Sequence, residues 1–209
     1  MKVIKKSLGQ MGTNCYVFWD EKSLEAAVID PGFKDQRIVE IIEKNKLKVK
    51  YILLTHGHFD HIGGVSQIKE ITGAKVLIHK SDADCLTNAG RNLSTAIGMP
   101  FDLAPADGYL SEGEKIQVGD MNIQVFYTPG HSKGGVCFLV GDTLFAGDTL
   151  FNTSIGRTDF PDGDLAELLS GVQKKLFVLD DNTKVLPGHG ENTTIGYEKA
   201  HNPFFKGCV

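Results

Sequence analysis

The chain has 209 residues, with 22 basic and 26 acidic side chains mixed along its length and a formal net charge of -4. No basic field recommends a nucleic-acid partner, and no apolar run approaches the ~20 residues of a membrane span. A chain of this length can bury around 70% of its unfolded surface in one core, so one domain is expected over residues 1–209 without a disulfide staple.

In chain order, strand-like runs are predicted near residues 2–7, 14–19 and 25–30. The first opens on Met1-Lys2-Val3, which reads as a strand rather than a signal peptide. The third ends in Ile29-Asp30-Pro31-Gly32, where Asp30 either starts a turn or supports a nearby metal ligand from behind. A helix follows over 34–45, with Ile38, Val39, Ile41 and Ile42 on one face. The apolar run 48–54 delivers the chain into Thr55-His56-Gly57-His58-Phe59-Asp60-His61.

Beyond that cluster, a strand is predicted at 74–78, and the lone His79 at its end reads as structural. The polar, irregular segment 80–105, broken by Gly90, Gly98 and Pro100, is predicted to be a mobile cover over the site. Strands then fall near 115–118, 121–127, 136–140, 143–147 and 184–187. In 164–178, Leu165, Leu168, Leu169, Val172 and Leu176 take helical spacing and read as core. The tail reads as the end of one helix, with Phe204 and Phe205 packing back and His201 structural. Cys15, Cys85, Cys137 and Cys208 lack C-x-x-C spacing and read as free thiols of a reducing compartment, so a cytoplasmic location is expected.

The cluster at 55–61 puts three imidazoles and a carboxylate behind a buried strand, and Gly57 lets the backbone turn sharply there. His56 and His58 are two apart, so they are not the i, i+4 pair of a helical metal motif. His131 and His189 each follow an apolar strand and a Pro-Gly turn, and Asp148 ends the strand Leu144-Phe145-Ala146-Gly147. Five histidines (His56, His58, His61, His131, His189) and two aspartates (Asp60, Asp148) are too many donors for one tetrahedral ion. They suit two divalent metal ions with one carboxylate bridging and a position open for water. A nitrogen and oxygen donor set without thiolate favours zinc, iron or manganese. Two turns are locally alike, 55–58 followed by Gly63-Gly64 and 128–131 followed by Gly134-Gly135, which hints at two related halves.

These motifs, in this order, resemble those of the metallo-β-lactamase fold superfamily: an early Asp30, then His56-Gly57-His58-Phe59-Asp60-His61, His131, Asp148 and His189. The resemblance implies an α/β fold, the αββα sandwich of that superfamily, with metal at the strand ends. It also implies one ion on His56, His58 and His131, a second on Asp60, His61 and His189, and Asp148 bridging them, with zinc the first expectation.

The stretch from Gly147-Asp148 through Gly156-Arg157-Thr158-Asp159-Phe160 looks like the short bacterial members of the glyoxalase II group. That likeness implies a thioesterase acting on a hydroxyacylglutathione-like small molecule by metal-activated hydroxide. Asp60 and Asp148 would orient the nucleophile as well as bind metal, and Arg157 would touch the substrate. A pairing of Arg157 with Asp159 or Asp162 that stiffens the loop is the competing role. Only twenty residues follow His189, where longer glyoxalase II enzymes carry a C-terminal helical domain. Persulfide dioxygenases share the 156–160 stretch and imply the alternative: a single iron on His56, His131 and Asp148.

Overall fold

The computed structural model describes residues 1–206, so Cys208 lies outside the described residues. Two six-stranded sheets carry the fold. The first holds β1 (Lys2–Leu8), β2 (Thr13–Trp19), β3 (Glu25–Ile29), β4 (Lys48–Leu53), β5 (Lys75–His79) and β6 (Gly108–Leu110) in sequential order. Its first three strands are antiparallel, and β3 through β6 run parallel. The second sheet comprises β7 (Lys115–Val118), β8 (Met121–Tyr127), β9 (Val136–Val140), β10 (Thr143–Gly147), β13 (Lys184–Pro187) and β14 (Thr193–Thr194). In that sheet β10 and β13 are parallel. Between them in sequence, β11 (Leu150–Phe151) and β12 (Ser154–Ile155) form a small hairpin.

Side-chain alternation explains the layering. Along β2, Tyr16 and Phe18 point into a core shared with Val125, Phe138 and Phe145 of the second sheet. Cys15, Val17 and Trp19 point the other way, onto α1 (Gln36–Lys44) and α3 (Val65–Thr72) through Ile38, Ile42 and Ile68. The outer face of the second sheet, with Cys137, Leu144, Ala146 and Val185, meets Leu168 of α4 (Leu165–Gly171) and Ile195 of α5 (Ile195–His201). A strand buried on both faces cannot stand at a surface, so helices cover each sheet and the order of layers is αββα.

The ten predicted strands and the helix over 34–45 are present within a residue or two. The stripe predicted over 164–178 is α4 running into a π-helical turn at Val172–Leu176, started by the Asp164 side chain accepting from Glu167 N. Phe205 is buried and packs edge-on against Phe177 at 4.7 Å, whereas Phe204 stays exposed. Sequence patterning did not mark α2 (Phe59–Ile62), α3, β6, the β11–β12 hairpin or β14, each too short or too weakly periodic to stand out.

Segment 80–105, polar and irregular in sequence, has a buried interior. It folds into 3₁₀ turns at Lys80–Thr87 and Ser94–Ile97, and Asp82, Cys85, Leu86, Asn92 and Ser94 are buried. The Asn92 side-chain amide donates to the carbonyls of Cys85 (3.0 Å) and Phe101 (3.1 Å), and the Asn92 backbone carbonyl accepts from Phe59 N at 2.8 Å. Polar residues that look solvated in sequence are the internal fastenings of this segment. No helix among the described residues is long and apolar enough to cross a membrane.

Candidate metal centre

The donors arrive on strand ends. β4 delivers His56 and His58 directly, and α2, opening one residue after His58, carries Asp60 and His61. β8, β10 and β13 end just before His131, Asp148 and His189. The seven predicted donors, scattered over 134 positions of the sequence, all converge on one end of the sandwich.

Two groups of the predicted donors form there, and Asp30 makes a third with His56 and His61. One ligand atom each from His56, His58 and His131 lie within 4.8 Å of one another, and so do atoms from Asp60, His61 and His189. Asp148 stands between them, with Oδ1 3.4 Å from His61 Nε2 and Oδ2 3.5 and 3.6 Å from the Nε2 atoms of His131 and His189.

Surrounding groups fix which nitrogen four of the five rings offer. His61 Nδ1 donates to Asp30 at 2.9 Å, His131 Nδ1 to the Arg157 carbonyl at 2.8 Å, and His189 Nδ1 to the Met11 carbonyl at 3.2 Å. His56 Nδ1 faces Thr55 Oγ1 at 3.1 Å, and that hydroxyl donates in turn to Asp30 at 2.6 Å. The Nε2 atoms are left for the centre. Asp30 is therefore a support behind the donors, accepting from Thr55 N as well at 2.8 Å.

The residues fit a pair of cations. His56 Nε2 and Asp148 Oδ1 are buried with no hydrogen-bond partner, a costly arrangement unless a cation takes them. Ring nitrogens also converge in pairs, His58 Nδ1 with His131 Nε2 at 3.0 Å and His61 Nε2 with His189 Nε2 at 3.3 Å. Burial, and then the neighbouring imidazoles, push His56 far below the usual range and His58 down to about 3. Burial would lower His61 too, but Asp148, Asp60 and Asp30 override it and raise it to about 10. Asp60 is held low despite its burial, by His61, His189 and the Thr13 hydroxyl that donates to it at 3.0 Å.

A proton count follows. Without metal, His61 keeps its second proton at pH 8, whereas a cation needs Nε2 bare, so binding must expel that proton. Calorimetric zinc titration at pH 8 in buffers of different ionisation heat is expected to show at least about one proton released per chain. A heat independent of buffer would contradict this assignment.

Beside the centre opens a cleft of about 340 Å³, walled by Met11, Phe59, Leu93, Phe151, Ile155 and Phe160. Arg157 also lines it. The guanidinium forks onto Asp159, with both bonds at 2.7 Å, and lies 4.3 Å over the Phe160 ring. Asp162 pairs instead with Arg91 (2.6 Å) and Lys133 (3.1 Å). His79 is not at the cleft but stacks on Tyr127 at 4.3 Å. Sequence reasoning missed Thr13, Met11 and the Arg157 carbonyl, because a lone threonine and two backbone oxygens carry no local signal.

The family model for the metallo-beta-lactamase superfamily matches residues 8–189. A hydroxyacylglutathione hydrolase, GloC, of Haemophilus influenzae is 37% identical over 195 residues, covering 91% of this chain and 92% of its own. The crystal structure of BLEG-1, a B3 metallo-beta-lactamase, superposes with a TM-score of 0.94 at 38% identity, covering 99% of this chain and 100% of its own. That of TTHA1623, in a di-iron-bound form, superposes with a TM-score of 0.84 at 34% identity, covering 96% and 99%. With its donors gathered at one end of an αββα sandwich, the chain belongs to the metallo-beta-lactamase superfamily.

Proposed function

We propose that the protein is a binuclear metal-dependent hydrolase that cleaves a thioester, with a hydroxyacylglutathione-like compound as the substrate class. The carrying observation is the pair of adjacent donor groups that share Asp148. His56, His58 and His131 would hold one cation, and Asp60, His61 and His189 the other, zinc being the first expectation. Bound divalent cations would acidify a water molecule and polarise the substrate carbonyl.

The chain's own residues supply the rest. Asp60 and Asp148 accept from the attacking water and orient it. Phe151, Phe160, Leu93 and Met11 give the acyl group an apolar wall and keep bulk water from it. Arg157, at the same wall, meets the thiol half of the substrate. A thiolate with a free-thiol pKa near ~8.5 departs without a strong proton donor, in keeping with a cleft that, among the described residues, is lined by no lysine and no further histidine. The likeness to GloC supports the thioester reading.

Elemental analysis of freshly purified protein is expected to find about two metal ions per chain, together with hydrolysis of lactoylglutathione that His58→Ala abolishes. Full turnover by His58→Ala would sink the proposal. One iron per chain, with oxygen consumed on a persulfide, would replace it by the dioxygenase reading.

A further inference from the structure

Asp82 is 1% exposed, lies in the 3₁₀ turn Lys80–Thr87 after β5, and does not line the cleft. Its carboxylate is divided between two loops. Oδ2 accepts from Gly57 N at 3.1 Å, and Oδ1 accepts from Gly134 N at 2.6 Å. Gly57 sits between His56 and His58, and Gly134 lies three residues after His131. One buried side chain thus joins the two locally similar turns, each of which carries part of the same donor group.

Both turns press against the 3₁₀ turn so closely that only glycine fits. A Cβ on Gly57 would stand 2.4 Å from Cβ of Cys85, and one on Gly134 would stand 2.5 Å from Cγ of Asp82. Nothing at either position separates the backbone amide from its carboxylate oxygen.

We infer that Asp82 is a positioning residue for the three-histidine group: it brackets the 56–58 and 131–134 loops at the spacing that brings His56, His58 and His131 together. The second group, Asp60, His61 and His189, hangs on other supports, namely Thr13, Asp30 and the Met11 carbonyl. A carboxylate suits the task because it offers an acceptor to each amide, whereas the isosteric carboxamide offers one acceptor and turns an N–H toward the other amide. The inference rests on the two-group metal reading above.

The test is a zinc titration of metal-stripped, full-length Asp82→Asn in competition with a chromophoric chelator. Wild type and His131→Ala run beside it, the latter marking the step that belongs to the three-histidine group. Affinity in that step is expected to fall 10–100-fold, the usual cost of losing an outer support, while the other step holds. A buried aspartate used only for folding would weaken both steps together; that result, or no change in the three-histidine step, overturns the inference. Should Asp82→Asn not fold, amide exchange in metal-stripped wild type decides: slow exchange at both Gly57 and Gly134 supports the bracket, and fast exchange at either overturns it. A wild type that binds no zinc would count against the functional reading, and the exchange measurement would still decide the bracket.

Discussion

Asp148→Asn is expected to lower thioester turnover by about 10²–10³-fold, a loss as large as that from removing one oxyanion-hole donor. The carboxylate spans both donor groups, 3.4 Å from His61 on one oxygen and 3.5 and 3.6 Å from His131 and His189 on the other. Asparagine keeps the volume but removes the charge and one acceptor, so two cations can no longer share it. Metal content should fall from about two toward one ion per chain, and the loss should appear in kcat as well as kcat/KM, since the proposed role sets the Asp148 charge on the reacting water. The measurement is steady-state kinetics paired with elemental analysis on the same preparation. A variant with two metals and unimpaired turnover would remove Asp148 from the mechanism.

Asp30→Ala is expected to cost about 3–5 kcal/mol of folding stability, as breaking a buried charged pair typically does. Asp30 is 1% exposed and accepts three hydrogen bonds, from Thr55 N, Thr55 Oγ1 and His61 Nδ1. Alanine leaves those donors without partners in a site that water does not reach. It must also adopt the φ of +48° that Asp30 holds, a left-handed conformation that aspartate tolerates better than alanine. His61 loses the acceptor that fixes its tautomer, so zinc affinity should drop 10–100-fold as well. Urea unfolding of metal-stripped protein isolates the stability effect, and an unchanged midpoint would show that the network around Thr55 does not need the carboxylate. Asp30→Asn, which retains one acceptor oxygen, should fall between wild type and Asp30→Ala.

Both predictions depend on residues that the sequence presents unequally. Asp148 stands out because it ends a run of buried apolar residues in a carboxylate, as His131 and His189 end theirs in imidazoles. Asp30 is ambiguous in sequence, since an aspartate before Pro31 suits a turn, and only its bond to a histidine 31 residues away assigns it to the centre. Arg157 was open between a loop pair and a cleft residue; the folded chain has it forked onto Asp159 and also lining the cleft. The polar look of segment 80–105 in sequence has a physical reason: Asp82, Asn92 and Ser94 spend their polarity inward, on amides and carbonyls brought near by folding.

The sequence by itself determined the ten strands, the helix after β3 and the metal-competent side chains at strand ends, while the αββα order came from the resemblance those motifs carry. Strand periodicity, Gly and Pro punctuation and metal-competent side chains at strand ends are all encoded within a few consecutive residues. The tertiary structure alone decided which ring nitrogen His56, His61, His131 and His189 present and what holds the donors from behind. Those outcomes depend on contacts between positions far apart in the chain: Thr13 with Asp60 and Asp30 with His61 form when strands of the first sheet pair, and Asp82 with Gly134 when the two sheets pack face to face.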